Sequence, residues 1–165
     1  MNRTSPPNSA SERAFVGALM LLPPSRTRAA LSLVEEGDLA DPHLRVVLEA
    51  IRRLAREDSP VDAVAVQAHL RSSGSVSTAS MSNLAMMLAE LVSVDTVPLP
   101  EAIEKYAAAV VEESVRRRLA ELAVALQDLA EQSPRERIAS HGRVLTFLML
   151  DAAARLHQPL VAGVS

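Results

Sequence analysis

The sequence predicts an all-α protein, and three features of its composition support this. Alanine and leucine, both good helix formers, dominate the chain, and only 5 of its 165 residues are glycine. Aromatic residues make up 2% of the sequence, which disfavours an immunoglobulin-like β-sandwich. Because 48% of the residues are hydrophobic, the chain can bury a core, and its length fits one domain or two very small ones.

A globular region of about five short helices is predicted at residues 9–97, behind a disordered tail at 1–8. Ser9 and Glu12 fit a capping box for the first helix. Ser25 is placed to cap the second helix, which is expected to end at Gly37.

The next three helices are predicted from caps and apolar spacing. Asp41 precedes Pro42 as N-cap of the third helix, and Asp62 is placed to cap the fourth. A short strand at 61–66 is the alternative to the fourth helix, and the fifth is expected at about 81–91. The predicted inward residues of the third helix are Val46, Val47, Ala50, Ile51 and Leu54.

A long helical hairpin is predicted at 98–157, followed by a flexible tail at 158–165. Residues 102–131 contain neither glycine nor proline, and Ser133 and Pro134 start a second helix after a turn of two or three residues. Helices joined by so short a turn must run antiparallel. The first helix carries a heptad-like seam of Val115, Leu119, Leu122, Leu126 and Leu129. The matching stripe on the second helix is Leu145, Leu148 or Met149, Ala152 and Leu156.

Apolar residues on more than one stripe of this hairpin predict that it needs a partner. The candidates for self-association are Leu119, Leu122, Leu126, Leu145, Phe147 and Met149. The basic run Arg116, Arg117 and Arg118 is a candidate polar contact to an acidic partner or a phosphate. Its alternative is a solvated helix face paired with nearby glutamates.

Catalysis is not expected. The chain has no cysteine, its only lysine is Lys105 within a predicted helix, and it contains neither a Walker A motif nor a nucleophile elbow. Its four histidines do not pair at a metal-binding spacing, so no cofactor, metal ligand or catalytic residue is predicted.

Charge and hydropathy bear on location and partners. The net charge of −3 argues against coating nucleic acid through bulk charge. The sequence has no apolar run of membrane-spanning length and no apolar start typical of a signal peptide, so a cytoplasmic protein is expected.

Four collinear segments within about residues 11–130 carry a resemblance to a known family. They are Glu12 to Leu21, Asp38 to Leu54, Pro60 to Val66 with the sequence Pro-Val-Asp-Ala-Val-Ala-Val, and Tyr106 to Leu119. Together they resemble the N-terminal domain of the bacterial replicative helicase DnaB, and the Pro-Val-Asp segment is the most specific. The chain departs from the family pattern at Leu39 and Ala40, where the family has Phe-Tyr.

The resemblance implies a globule followed by a hairpin, and a role without chemistry. In the family, hairpins pair to build a collar on the helicase hexamer, and the collar binds the C-terminal domain of primase. We therefore expect a module that self-associates and binds primase or a replicative helicase, touching DNA only indirectly. The alternatives are a degenerate or truncated helicase fragment, and a small DNA-binding regulator that uses Arg-rich helices.

Overall fold

The computed structural model describes residues 10–74, 78–93, 102–132 and 135–157, and all regular secondary structure in this part of the chain is helical, without a strand. The all-α prediction is therefore confirmed. A 3₁₀ turn at Glu36–Asp38 accompanies seven α-helices. They are α1 (Ala10–Leu19), α2 (Pro24–Leu31), α3 (Pro42–Arg56), α4 (Ala63–Ser72), α5 (Thr78–Leu91), α6 (Ile103–Gln132) and α7 (Arg135–His157).

The chain divides into two compact units, and the boundary between them lies inside α6. The first unit runs up to Val110 and the second begins at Val111. The sequence placed the boundary at residues 97 and 98, which lie outside the described residues.

Helix α3 forms the centre of the first unit, where it packs against α1, α2, α4 and the 3₁₀ turn. Its predicted start is confirmed, because the Asp41 carboxylate accepts a hydrogen bond from the His43 N–H at 2.8 Å and Pro42 occupies the first turn. The inward prediction for Val46 is wrong, since this side chain is exposed at the edge of the apolar face. The buried residues are Leu44, Val47, Leu48, Ala50, Ile51, Leu54 and Ala55.

Helix α2 differs from its prediction at both ends. It begins at Pro24 with Pro23 as N-cap and without a side-chain cap, because a proline in the first turn already has the φ angle of a helix. The helix ends at Leu31 and not at Gly37. Beyond it, the Val34 carbonyl accepts a hydrogen bond from the Arg52 guanidinium on α3, so a tertiary contact replaces the last predicted turn.

Helices α4 and α5 complete the first unit. Asp62 caps α4 by accepting from the Ala65 N–H at 2.8 Å, which confirms the helical interpretation over the alternative strand. Helix α5 packs against α1 and α4. It buries Leu84, Leu88 and Leu91.

A buried carboxylate joins α1 to the segment before α3. The predicted capping box falls on Ser9, which lies outside the described residues, while Glu12 is buried and its carboxylate accepts hydrogen bonds from the Ala40 and Asp41 N–H groups. Glu12 therefore fixes the approach of the chain to α3.

The second unit contains α7 and the part of α6 that follows Val110. Only residues 133 and 134, which the structure does not describe, separate the two helices, in agreement with the predicted hairpin. No helix among the described residues is both long enough and apolar enough to span a lipid bilayer.

Candidate interaction surface on the helical hairpin

Helix α7 presents large apolar side chains to solvent. Phe147 is 69% exposed, Leu150 66% and Val144 58%. The inward side of the same helix carries buried Ala152 and half-buried Leu145. Phe147 lies roughly 140° from Ala152 and roughly 160° from Leu145 around the axis, so it points away from the inward side. We call the exposed residues Val144, Phe147, Leu148 and Leu150 the α7 outer patch.

The seam on α6 is the least exposed line of that helix segment. Between residues 119 and 131, the half-buried side chains are Leu119, Leu122, Leu126 and Leu129, and every other residue is exposed. A spacing of three and four residues puts these leucines on one side of the helix. The seam therefore has the burial expected of a helix-packing stripe.

The six residues predicted for self-association fall into two groups. Leu119, Leu122, Leu126 and Leu145 are half-buried, whereas Phe147 and Met149 are exposed. The stripe predicted on α7 includes Leu148 or Met149, and these side chains are 43% and 41% exposed. Positions 148 and 149 flank the line from Leu145 to Ala152, one on each side.

Three residues of the α7 outer patch are not among those that the sequence predicts for self-association. They are Val144, Leu148 and Leu150. The available signal is the spacing of Val144, Phe147 and Leu148, which is i, i+3, i+4 and so forms a second apolar stripe on α7. One inward stripe suffices for a hairpin, so a second stripe marks a surface that packing within the hairpin does not use.

The basic run has a local partner at its first residue. Arg116 is exposed and its guanidinium pairs with the Glu112 carboxylate one turn earlier on α6. Arg117 and Arg118 are half-buried. An exposed i, i+4 pair contributes only about 0.3–0.5 kcal/mol, so the Glu112 contact leaves Arg116 able to exchange partners at little cost.

Metal binding has no visible basis in the part of the chain that the structure describes. No three His, Asp or Glu side chains come together there in a way that could hold a metal ion. His43 participates in the fold through its backbone N–H, which donates to Asp41.

Comparison with known proteins identifies the family. Residues 4–112 match the family model described as DnaB-like helicase N terminal domain. That match covers well over half of the chain, so the chain belongs to the DnaB-like helicase N-terminal domain family. The family resemblance inferred from the sequence is confirmed. No curated protein sequence matches the chain.

Solved structures extend the likeness beyond the family match. The crystal structure of the N-terminal domain of DnaB helicase from Mycobacterium tuberculosis is 26% identical and superposes with a TM-score of 0.72. The superposition covers 90% of this chain and 99% of that chain, so it reaches past residue 112 into the hairpin helices.

Proposed function

We propose that this chain is a non-catalytic module of the DNA replication machinery that self-associates through α7 and binds a replication protein. The observation that carries the proposal is the α7 outer patch, where Val144, Phe147 and Leu150 are each more than half exposed. Contiguous apolar side chains on a protein surface mark an interaction site, because covering them removes apolar area from water.

A second copy of the chain is the proposed occupant of the α7 outer patch. In a twofold dimer the same patch contributes from both copies, so an apolar patch complements itself without needing opposite charges. Family membership supports this choice, because N-terminal domains of DnaB helicases pair with one another in the helicase oligomer. Phe147 would contact the second copy directly, whereas Met149, roughly 160° away around the helix, would lie outside that contact. Leu119, Leu122, Leu126 and Leu145 would act by holding α7 in place.

Sedimentation velocity of the full chain at tens of micromolar tests self-association. A dimer or larger species is expected for the wild type, and Phe147→Glu is expected to shift the chain to monomer because it places a charge in the apolar contact. Val64→Glu is the matched control, since Val64 is 75% exposed on α4 in the other unit. A monomeric wild type, or equal behaviour of the two variants, would contradict the proposal.

The proposed protein partner is primase or a replicative helicase, with Arg116, Arg117 and Arg118 as the polar contacts. Guanidinium groups bind carboxylates through paired hydrogen bonds, which suits an acidic surface of a partner. A pull-down of the full chain against primase and the replicative helicase of its host is expected to capture at least one. Capture of neither would leave self-association without a role in primosome assembly.

Binding to duplex DNA distinguishes the proposal from a DNA-binding regulator. A regulator that uses Arg-rich helices would bind duplex DNA with an affinity that falls steeply as salt rises. We expect no such binding at physiological salt. We expect a protein with this proposed role to act in the cytoplasm.

A further inference from the structure

A cavity of about 210 Å³ lies between α2 and α3, and three of its six lining residues are arginines. Arg28 comes from α2, and Arg52 and Arg56 come from consecutive turns at the end of α3. Ser32, Leu31 and Ala55 complete the lining. All of these residues belong to the first compact unit.

The arginines of this cavity are incompletely paired with carboxylates of the described residues. The Arg28 guanidinium donates to the Ala55 carbonyl at 3.1 Å and pairs with the Asp58 carboxylate. Arg56 is exposed and makes no hydrogen bond or ion pair with the described residues. Among the described residues, only one of the three guanidinium groups, that of Arg28, is paired with a carboxylate.

Arg52 has hydrogen-bonding capacity that the described residues leave unused. One of its terminal nitrogens donates to the Val34 carbonyl on the segment after α2. Its Nε is buried and has no hydrogen-bond partner among the described residues. Buried hydrogen-bond donors nearly always have a partner, and a buried donor without one lowers the stability of the fold.

We infer that the arginine cavity binds a single oxyanion, supplied by a carboxylate or a phosphate monoester. A guanidinium presents two parallel N–H groups to such an anion, and this geometry is strongest when donor and acceptor are both charged. An oxyanion in the cavity accepts from Arg56 and from Arg52.

A neighbouring cavity limits the ligand to one anionic group. This second cavity, of about 300 Å³, shares Leu31, Ser32, Arg52 and Arg56 with the first. Its wall also contains the carboxylates of Glu35, Glu36 and Glu49. These acids repel a second negative charge, so a run of phosphates along a nucleic acid strand fits poorly. The site therefore serves a function separate from the proposed self-association through α7.

Nuclear magnetic resonance on the full chain tests the oxyanion site. Inorganic phosphate and malonate are titrated separately at constant ionic strength, with sodium chloride as the reference. We expect shifts of arginine Nε–H resonances and of the Ser32 and Ala55 amides with either anion, and none with chloride. Response to phosphate alone would identify a phosphate ligand, and response to malonate alone a carboxylate.

Two variants and a control separate binding from general charge. Arg56→Gln is expected to weaken anion binding about tenfold, since it removes the charged guanidinium group of an exposed residue. Arg52→Lys keeps the charge but removes Nε and is expected to weaken binding similarly. Arg53→Gln is the control, because Arg53 is exposed, pairs with Glu57 at 3.3 Å and does not line this cavity. No shift with either anion at millimolar concentration, or equal affinity of Arg56→Gln and Arg53→Gln, would overturn the inference.

Discussion

The carboxylate of Glu12 accepts a hydrogen bond from the backbone N–H of Ala40 at 2.7 Å, across 28 residues of sequence. Its other oxygen accepts from the Asp41 N–H at 3.1 Å, and the Asp41 side chain in turn caps α3. One buried acid on α1 therefore orients the residue that starts the central helix. This contact also explains why the residue at position 40 can be alanine, since the interaction uses its backbone.

Replacing Glu12 with alanine is expected to lower the free energy of unfolding by about 2–4 kcal/mol, because two buried N–H groups lose their acceptors. Urea unfolding monitored by circular dichroism measures this loss. Glu12→Gln keeps one acceptor oxygen and should cost less. Glu49→Ala, at an exposed position on α3, serves as control and is expected to stay within about 0.5 kcal/mol of the wild type. Equal effects of the two alanine variants would contradict a structural role for Glu12.

Replacing Asp62 with alanine is expected to destabilise the protein by about 1 kcal/mol, because the Ala65 N–H at the start of α4 loses its cap. Asparagine also caps helices well, so Asp62→Asn should remain close to the wild type. The urea midpoints of the three proteins check this. If asparagine and alanine cost the same, charge and not hydrogen bonding would be the reason.

Replacing glycine with alanine is expected to change the stability of the protein in opposite directions at Gly74 and Gly142. Gly74 has a φ angle of +67°, so Gly74→Ala should destabilise the protein by about 1–2 kcal/mol even though its surroundings are open. Gly142 lies inside α7 with nothing within 4 Å of an added Cβ. Gly142→Ala should therefore raise helix stability by about 0.8–1 kcal/mol. Thermal unfolding of the two variants against the wild type measures the difference, and equal signs would refute the backbone explanation.

Replacing Arg116 with alanine is expected to change the free energy of unfolding by less than about 0.5 kcal/mol, because its pair with Glu112 is exposed. If the basic run contacts a protein partner, the same variant should reduce capture of primase or helicase. Arg71→Ala, at an exposed arginine of α4, is the control for the pull-down. Undiminished capture by Arg116→Ala would remove Arg116 from the proposed contact.

Helix type and most helix starts could be predicted because their causes are local. Asp41 and Asp62 cap the helices that follow them directly in sequence, and the spacing of Leu84, Leu88 and Leu91 already reveals one face of α5. The end of α2 could not be predicted in this way. There the chain follows a contact between Val34 and Arg52, which are 18 residues apart.

The two candidate sites differ in the same way in how far the sequence predicts them. Exposure of Phe147 follows from a second stripe within one helix, so the sequence contains the signal. The arginine cavity gives no such signal, because Arg28 and Arg52 are far apart in sequence and meet only when α2 packs on α3. A cluster formed by packing between helices is visible only in the folded chain.

The boundary between the two compact units, between Val110 and Val111, makes the hairpin hard to separate from the rest of the chain. Both residues are buried and lie within a continuous helix, about two turns after its start. Cutting the backbone there would leave four carbonyls on one fragment and four N–H groups on the other without helical partners, next to apolar side chains newly exposed to water. Proteases cleave exposed loops in preference to buried helical segments, so we expect no cleavage at this junction. A fusion protein that contains the hairpin must therefore also contain the first turns of α6.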